Sequence, residues 1–335
     1  MRTVPDAGAP PPLIVDFDDN RLLSALFGAY DRHVARIEQK LGVSVSSRGN
    51  RIAISGDSWS RNATREVLSR LYQRLEMGLE VEDGDVEGAI RMAREGARSA
   101  GENTGNAPRE AAVETRKRII TARSPHQVSY VRALRTHELV IALGPAGTGK
   151  TYLAVAVAVS MLLKGTVDRI ILSRPAVEAG ERLGFLPGDL REKIDPYLRP
   201  LYDALYHMLP ADEVVRRLES GEIEVAPVAF MRGRTLANAF VIVDEAQNTR
   251  PVQMKMLLTR LGEDSRMVVT GDVTQVDLPK GERSGLADAV EILDGMEGAA
   301  FVHFSDRDVF RHDLVTRVIR AYARVERARA ERGEE

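Results

Sequence analysis

Eight consecutive residues, Gly144-Pro145-Ala146-Gly147-Thr148-Gly149-Lys150-Thr151, combine backbone freedom with one cation and one hydroxyl. Glycines at the first, fourth and sixth places allow a tight turn whose N–H groups can face an anion. An ammonium follows at Lys150, and a hydroxyl able to ligate a divalent cation at Thr151. The apolar run Leu139–Leu143 precedes the turn, and the alanine- and valine-rich stretch from Tyr152 to Leu163 follows it. Strand, loop and helix in that order are the context G-x-x-x-x-G-K-T needs to cradle phosphates. Lys150 is expected to reach the β- and γ-phosphates of ATP, Thr151 to bind Mg2+, and the helix N-terminus to add its dipole.

A second set of groups lies about a hundred residues on. Phe240-Val-Ile-Val243 is an apolar run that ends in Asp244 and Glu245, followed by Ala-Gln-Asn248. In a parallel α/β sheet the carboxyl ends of strands face the ligand crevice. Asp244 is therefore expected at the Mg2+, and Glu245 as the base that orients or deprotonates an attacking water. A carboxylate beside the magnesium ligand favours hydrolysis. A kinase must keep water from the γ-phosphate.

Other residues are placed to sense the nucleotide. Gln275, in Gly271-Asp-Val-Thr-Gln275, follows the candidate strand Met267–Thr270, where a neutral amide can touch the γ-phosphate and the water. Gln127, in the stretch before the first core strand, offers one donor and one acceptor to the adenine edge. Tyr130, three residues on, either stacks on the base or packs in the core. Near the C-terminus Arg307, Arg311, Arg317 and Arg320 share a helical segment, and Arg311 is the preferred arginine finger, in its own subunit or a neighbour's. Arg174 leaves a strand end beside Pro175 and can meet a nucleic-acid or nucleotide phosphate. The chain has 40 arginines among its 47 basic residues, so each arginine needs a positional reason.

These groups need elements to hold them. Candidate strands at Leu139–Leu143, Arg169–Ser173, Glu224–Pro227, Ala239–Val243, Met267–Thr270 and Ala300–His303 alternate with helical segments across 109–322. That is the pattern of a mainly parallel sheet covered on both faces. Pro251 opens a helix whose Met254, Leu257, Leu258 and Leu261 form a buried face. Tyr197, Leu201, Tyr202, Leu205 and Tyr206 form a stripe that suits either helix packing or base stacking. Ahead of this domain, residues 13–78 read strand–helix–helix–strand–strand–helix. Residues 79–108 read as a helical linker. Residues 1–12 are expected to be disordered, and 323–335 form a charged tail.

Composition bounds the rest. The chain has 335 residues, no cysteine, 44% hydrophobic residues and a formal charge of −2. Disulfides and thiolate metal sites are excluded. No run reaches the ~18 uncharged apolar residues of a membrane span, and the N-terminus lacks a secretory pattern. A cytoplasmic protein is expected. Near-neutral charge leaves nucleic acid open, because binding needs a local basic patch.

Together, GPAGTGKT (144–151), SRPAVEAGE (173–181), LPGDLREKIDPYLRPLYDAL (186–205), IVDEAQN (242–248) and TGDVTQVDLP (270–279) resemble PhoH-family proteins of the YbeZ type. The resemblance implies a RecA-like P-loop NTPase core over 109–322, akin to one motor domain of superfamily 1 helicases. It implies Lys150 and Thr151 as the Walker A pair, Asp244 and Glu245 as the Walker B pair, and Gln275 in the third motif. It places Gln127 at adenine and Arg311 in the closing arginine segment. Residues 27–56 resemble a degenerate KH module, with Gly28-Ala29-Tyr30-Asp31 where G-x-x-G grips single-stranded RNA and Asp31 in place of the second glycine. That region is either an RNA contact or a docking module. One core rather than two implies a homo-oligomer, with a hexameric ring as the family-like form. Single-stranded RNA or rRNA and a YbeY-type endoribonuclease are the implied partners. The expected function is ATP hydrolysis coupled to RNA remodelling or unwinding in rRNA processing. A nucleotide-switched scaffold and, more remotely, a small-molecule kinase are the alternatives.

Overall fold

A computed structural model describes residues 11–96, 111–175, 190–279 and 281–310, and the pairs 314–315, 317–318, 321–322 and 324–325 of a C-terminal helix; side chains are described to 94 in the first of these stretches and from 198 in the third. The N-terminal unit holds β1 (Leu13–Asp16), α1 (Leu23–Phe27), α2 (Arg32–Leu41), β2 (Ser44–Arg48), β3 (Arg51–Ser55) and α3 (Ser58–Glu76). Its strands form an antiparallel sheet in the order β1-β3-β2. Ile52 and Ile54 alternate with less buried neighbours on β3 and bury against Leu26, Ile37, Leu68 and Leu71 of the helices. Asp57 caps α3 by accepting from Ser60 N at 3.0 Å.

The sequence sets 79–108 apart as a helical linker, and here the structure differs. Helix α4 (Asp83–Gly96) buries Val86, Ala89, Ile90 and Ala93 in the same apolar cluster as α2 and α3. Its apolar residues recur at helical spacing, so it has a face to bury and joins the N-terminal core.

After the short pair β4 (Val113–Glu114) and β5 (Ile119–Ile120), the main unit runs α5 (Pro125–Thr136), β6 (Leu139–Leu143), α6 (Lys150–Leu163), β7 (Arg169–Arg174), α7 (Leu190–Met208), α8 (Ala211–Ser220), β8 (Ile223–Pro227), β9 (Ala239–Val243), α9 (Pro251–Leu258), β10 (Arg266–Gly271), α10 (Gly285–Leu293) and β11 (Ala299–His303). The six long strands form a parallel sheet in the order β11-β6-β10-β9-β7-β8. All five residues of β6 and of β9 are buried, because helices cover both faces.

Alternate strand residues face opposite layers. Val140, Ala142, Phe240 and Ile242 pack with Tyr130, Val131 and Leu134 of α5, the apolar body of α6, and Leu201, Leu205 and Met208 of α7. The stripe on α7 thus serves helix packing at Leu201 and Leu205. Leu139, Ile141, Val241 and Val243 face α9 and α10 through Met254, Leu257 and Leu286. Strand β6 therefore feeds a helix on one face, and its neighbour β10 feeds a helix on the other. Adjacent strands that part in this way open a crevice at their carboxyl ends. Among the described residues, no helix is long and apolar enough to cross a membrane.

Candidate active site

The crevice is built from three strand ends. Leu143 lies level with Gly271 of β10, and Val243 lies level with Val269 of β10 and Ser173 of β7. The residues just past these positions, 144–151, 244–245 and 271–275, therefore meet in space.

Gly144, Gly147 and Gly149 all have positive φ, at 140°, 84° and 84°. Gly144 is also crowded, since a Cβ there would stand 2.4 Å from the carbonyl oxygen of Phe304. The loop closes on itself. Lys150 Nζ donates to Gly144 O at 2.6 Å and to Pro145 O at 3.0 Å, and Thr148 Oγ1 donates to Pro145 O at 3.0 Å. A phosphate oxygen would replace these carbonyls as the partner of the ammonium. Helix α6 begins at Lys150, so its first N–H groups border the same loop.

Thr151 Oγ1 donates to Asp244 Oδ1 at 2.6 Å, and Thr270 Oγ1 donates to the same oxygen at 2.7 Å. Asp244 is buried. A carboxylate and a hydroxyl at contact distance are hard oxygen donors, the set that suits Mg2+ completed by water and phosphate. The residues fit that ion.

Glu245 adopts a left-handed backbone with φ of 53°, which costs a non-glycine residue energy and recurs at functional positions. Its Oε2 accepts from Gln247 Nε2 at 2.6 Å, and its Oε1 lies 3.4 Å from the Arg174 guanidinium. Gln247 also accepts through Oε1 from Asp272 N at 3.1 Å. Asp272 in turn accepts from Gln275 Nε2 at 2.8 Å. A continuous line of hydrogen bonds joins Glu245, Gln247, Asp272 and Gln275.

Gln127 is buried, and both ends of its amide are engaged: Nε2 donates to Thr148 O at 2.9 Å and Oε1 accepts from Arg123 N at 2.7 Å. The structure thus brings Gln127 to the phosphate loop, in contact with its backbone. Tyr130 occupies the core position of its two alternatives. It has no exposed surface, meets Phe304 edge-on with centroids 5.4 Å apart, and donates to Lys150 O at 3.1 Å. No face of the ring is open to a base. Burial raises its phenol well above the usual range, and the Asp244 carboxylate adds to the effect. Arg311 lies outside the described residues. Just before it, Phe310 N donates to Gly147 O at 3.0 Å.

Neither residue type nor spacing marks Gln247 or Thr270 in the sequence. Both stand inside the motifs, Gln247 two residues after Glu245 and Thr270 just before Gly271, and that proximity is the signal they carry. A third group had no local signal. Asp308 is buried and accepts from Ser305 N at 2.8 Å, while His126 Nδ1 lies 2.9 Å away. Burial alone would raise the Asp308 carboxyl. Hydrogen bonds from Ser124, the Ser305 backbone and His126, together with the charge of His126, take it below the ordinary aspartate range.

The model of the family described as PhoH-like protein matches residues 119–323, which include every crevice residue above. The chain belongs to the PhoH-like family. With that family comes the general activity, ATP binding and hydrolysis on a P-loop α/β fold. A PhoH-like protein of Bacillus subtilis (strain 168) is 49% identical over 298 residues, covering 89% of this chain and 93% of that one. A PhoH-like protein of Synechocystis sp. (strain ATCC 27184 / PCC 6803 / Kazusa) is 45% identical over 302 residues, 90% of this chain and 92% of that one. These alignments extend well beyond the 119–323 match, so the likeness takes in part of the N-terminal unit. Among solved structures, the Sulfolobus solfataricus SWI2/SNF2 ATPase core in complex with dsDNA aligns at a TM-score of 0.33 and 14% identity, over 60% of this chain and 47% of that one. That likeness is too loose to add to the family assignment.

Proposed function

We propose that this PhoH-like protein couples ATP hydrolysis to the remodelling of single-stranded RNA, in the setting of rRNA processing. The observation that carries the hydrolytic half is the convergence of Thr151 and Thr270 on Asp244 with Glu245 next in sequence. Lys150 and the backbone of Gly144 to Gly149 bind the β- and γ-phosphates. Thr151 and Asp244 hold Mg2+, which neutralises phosphate charge. Glu245 accepts a proton from the water whose oxygen attacks the γ-phosphorus, and ADP leaves with the electron pair of the broken bond. Gln275 contacts the γ-phosphate and reports its loss to Glu245 through Asp272 and Gln247. Gln127 steadies the loop near the base, and Arg311 supplies a guanidinium to the developing charge.

The RNA half rests on the family resemblance and on the form of the N-terminal unit. The loop Gly28–Asp31 lies between α1 and α2, and Tyr30 is fully exposed on it at φ of 56°. A KH-like unit would present its RNA-gripping loop there. Asp31 puts a carboxylate where a nucleic-acid backbone would pass, which favours docking of a protein such as a YbeY-type endoribonuclease. One P-loop core with its finger on a C-terminal segment suits a homo-oligomeric ring in the cytoplasm.

A nucleotide-switched scaffold is the second reading. It is favoured by a specific path: Arg123 ion-pairs with Asp85 of α4 at 3.1 Å, and its backbone N–H donates to Gln127, which holds Thr148. The phosphate loop is thereby tied to the N-terminal unit.

The test is steady-state ATP hydrolysis with and without single-stranded RNA, with Glu245→Gln as control and the oligomeric mass measured in the same buffer. Stimulation by RNA, with the variant inactive, supports the coupled motor. Hydrolysis indifferent to RNA supports the scaffold. A wild-type protein that binds ATP and never hydrolyses it defeats both.

A further inference from the structure

Arg174 is the last residue of β7. Its place is set by the sheet, because Ser173 is level with Val243 and Asp244 N donates to Ser173 O at 2.9 Å. The next residue on each strand is Arg174 on one and the Asp244–Glu245 turn on the other. The guanidinium therefore arrives beside Glu245 as a consequence of strand pairing.

Glu245 is held from two sides. Gln247 donates to Oε2 at 2.6 Å, and the Arg174 guanidinium pairs with Oε1 at 3.4 Å. The two donors have different characters. Gln247 is buried and belongs to the line that ends at Gln275. The Arg174 side chain is 24% exposed and that of Glu245 37%, so this pair lies within reach of solvent and of a ligand. A partly exposed ion pair is weak and easily exchanged. A guanidinium matches a phosphodiester as well as it matches a carboxylate.

We propose that Arg174 is a brake on Glu245 that single-stranded RNA releases. The inference rests on the assignment of Glu245 as the base. While paired, the guanidinium competes with the attacking water for Oε1 and holds the carboxylate to one side. When an RNA phosphate takes the guanidinium, Oε1 is free to accept the water. Occupancy of RNA and competence for hydrolysis then meet at one side chain. Arg174 is a positioning residue in this scheme and does not touch the reacting atoms.

The experiment measures ATP turnover of wild type, Arg174→Ala and Arg174→Gln, with and without oligouridylate, alongside binding of a fluorescent ATP analogue. The neutral glutamine variant keeps most of the side-chain bulk, which guards against misfolding of the alanine variant. Both variants should raise kcat several-fold without RNA, leave KM for ATP unchanged and lose the response to oligouridylate. A fall in kcat with and without RNA overturns the brake, because Arg174 then aids the reaction directly. A raised kcat in variants of a wild type that ignores oligouridylate keeps the brake and overturns RNA as its release. If every protein binds the analogue and none turns over, the assignment of Glu245 fails, and the brake falls with it.

Discussion

Thr151 Oγ1 and Asp244 Oδ1 stand 2.6 Å apart, joined across 93 residues of chain. The contact joins two motifs on strands that are not neighbours, since β10 lies between β6 and β9. That intervening strand is no spacer, because its Thr270 donates to the same carboxylate oxygen at 2.7 Å. Thr270→Val should keep shape and remove the donor. A supporting hydrogen bond to a metal ligand is worth about 10–100-fold in affinity or activity, so the Mg2+ needed for half-maximal hydrolysis should rise by that order. Thr151→Val should cost more, since it removes a proposed ligand. A Mg2+ titration of ATP hydrolysis ranks the two, and a Thr270→Val protein with the wild-type Mg2+ requirement would separate Thr270 from the metal site.

Gln247 spans the space between Glu245 and Asp272 with one amide. Gly271 permits this, since a Cβ there would come 2.6 Å from Gln247 Oε1. Gln247→Ala should free Glu245 from its set orientation and leave Asp272 N without this acceptor. Loss of positioning at a reacting group costs on the order of 10²-fold. The fall should appear in kcat, with analogue binding kept. A variant with normal kcat would show that the line from Glu245 to Gln275 carries no catalytic information.

Much of this site is legible along the chain, for a physical reason. The run at β9 is apolar throughout because both faces of a parallel sheet are buried, so its end at Asp244 stands out. The glycines of 144–149 are needed for positive φ and announce themselves. Long-range pairing is not legible. His126 and Asp308 are 182 residues apart, and nothing local to either marks the other. Tyr130 lies three residues after Gln127 on one helix, and spacing alone cannot say whether its ring faces a ligand or the core. The sequence of α4 shows an apolar face without showing which core receives it.

The Asp308 cluster gives a pH signature. The folded carboxyl titrates below the ordinary aspartate range, although burial alone would push it up. The folded state therefore binds its proton less readily than the unfolded chain. The resulting stability is full above the unfolded aspartate value of about 3.9 and is lost as pH falls through the lower folded value. Asp308→Asn lacks this term. The difference in unfolding free energy between wild type and variant should shrink as pH falls below about 4. Urea melts over that range check it. A difference that grows as pH falls below about 4 would reverse the assigned sign.

Gln127 offers the sharpest test of how the loop meets its nucleotide. Its amide donates to Thr148 O and accepts from Arg123 N, so both ends act within the protein. A residue that works by steadying Thr148 supports the phosphates and is blind to the base. A residue that reads adenine contributes only to ATP. Gln127→Ala should therefore weaken ATP and GTP binding by the same factor. Losing one hydrogen bond of this kind costs about 1–3 kcal/mol when the partner stays buried and unpaired, or on the order of 5–150-fold in Kd. Titration of both nucleotides against wild type and variant measures the two factors. Loss confined to ATP would mean that the amide turns from Thr148 to the base when nucleotide binds, and the internal pairing would then be the resting position of an adenine reader.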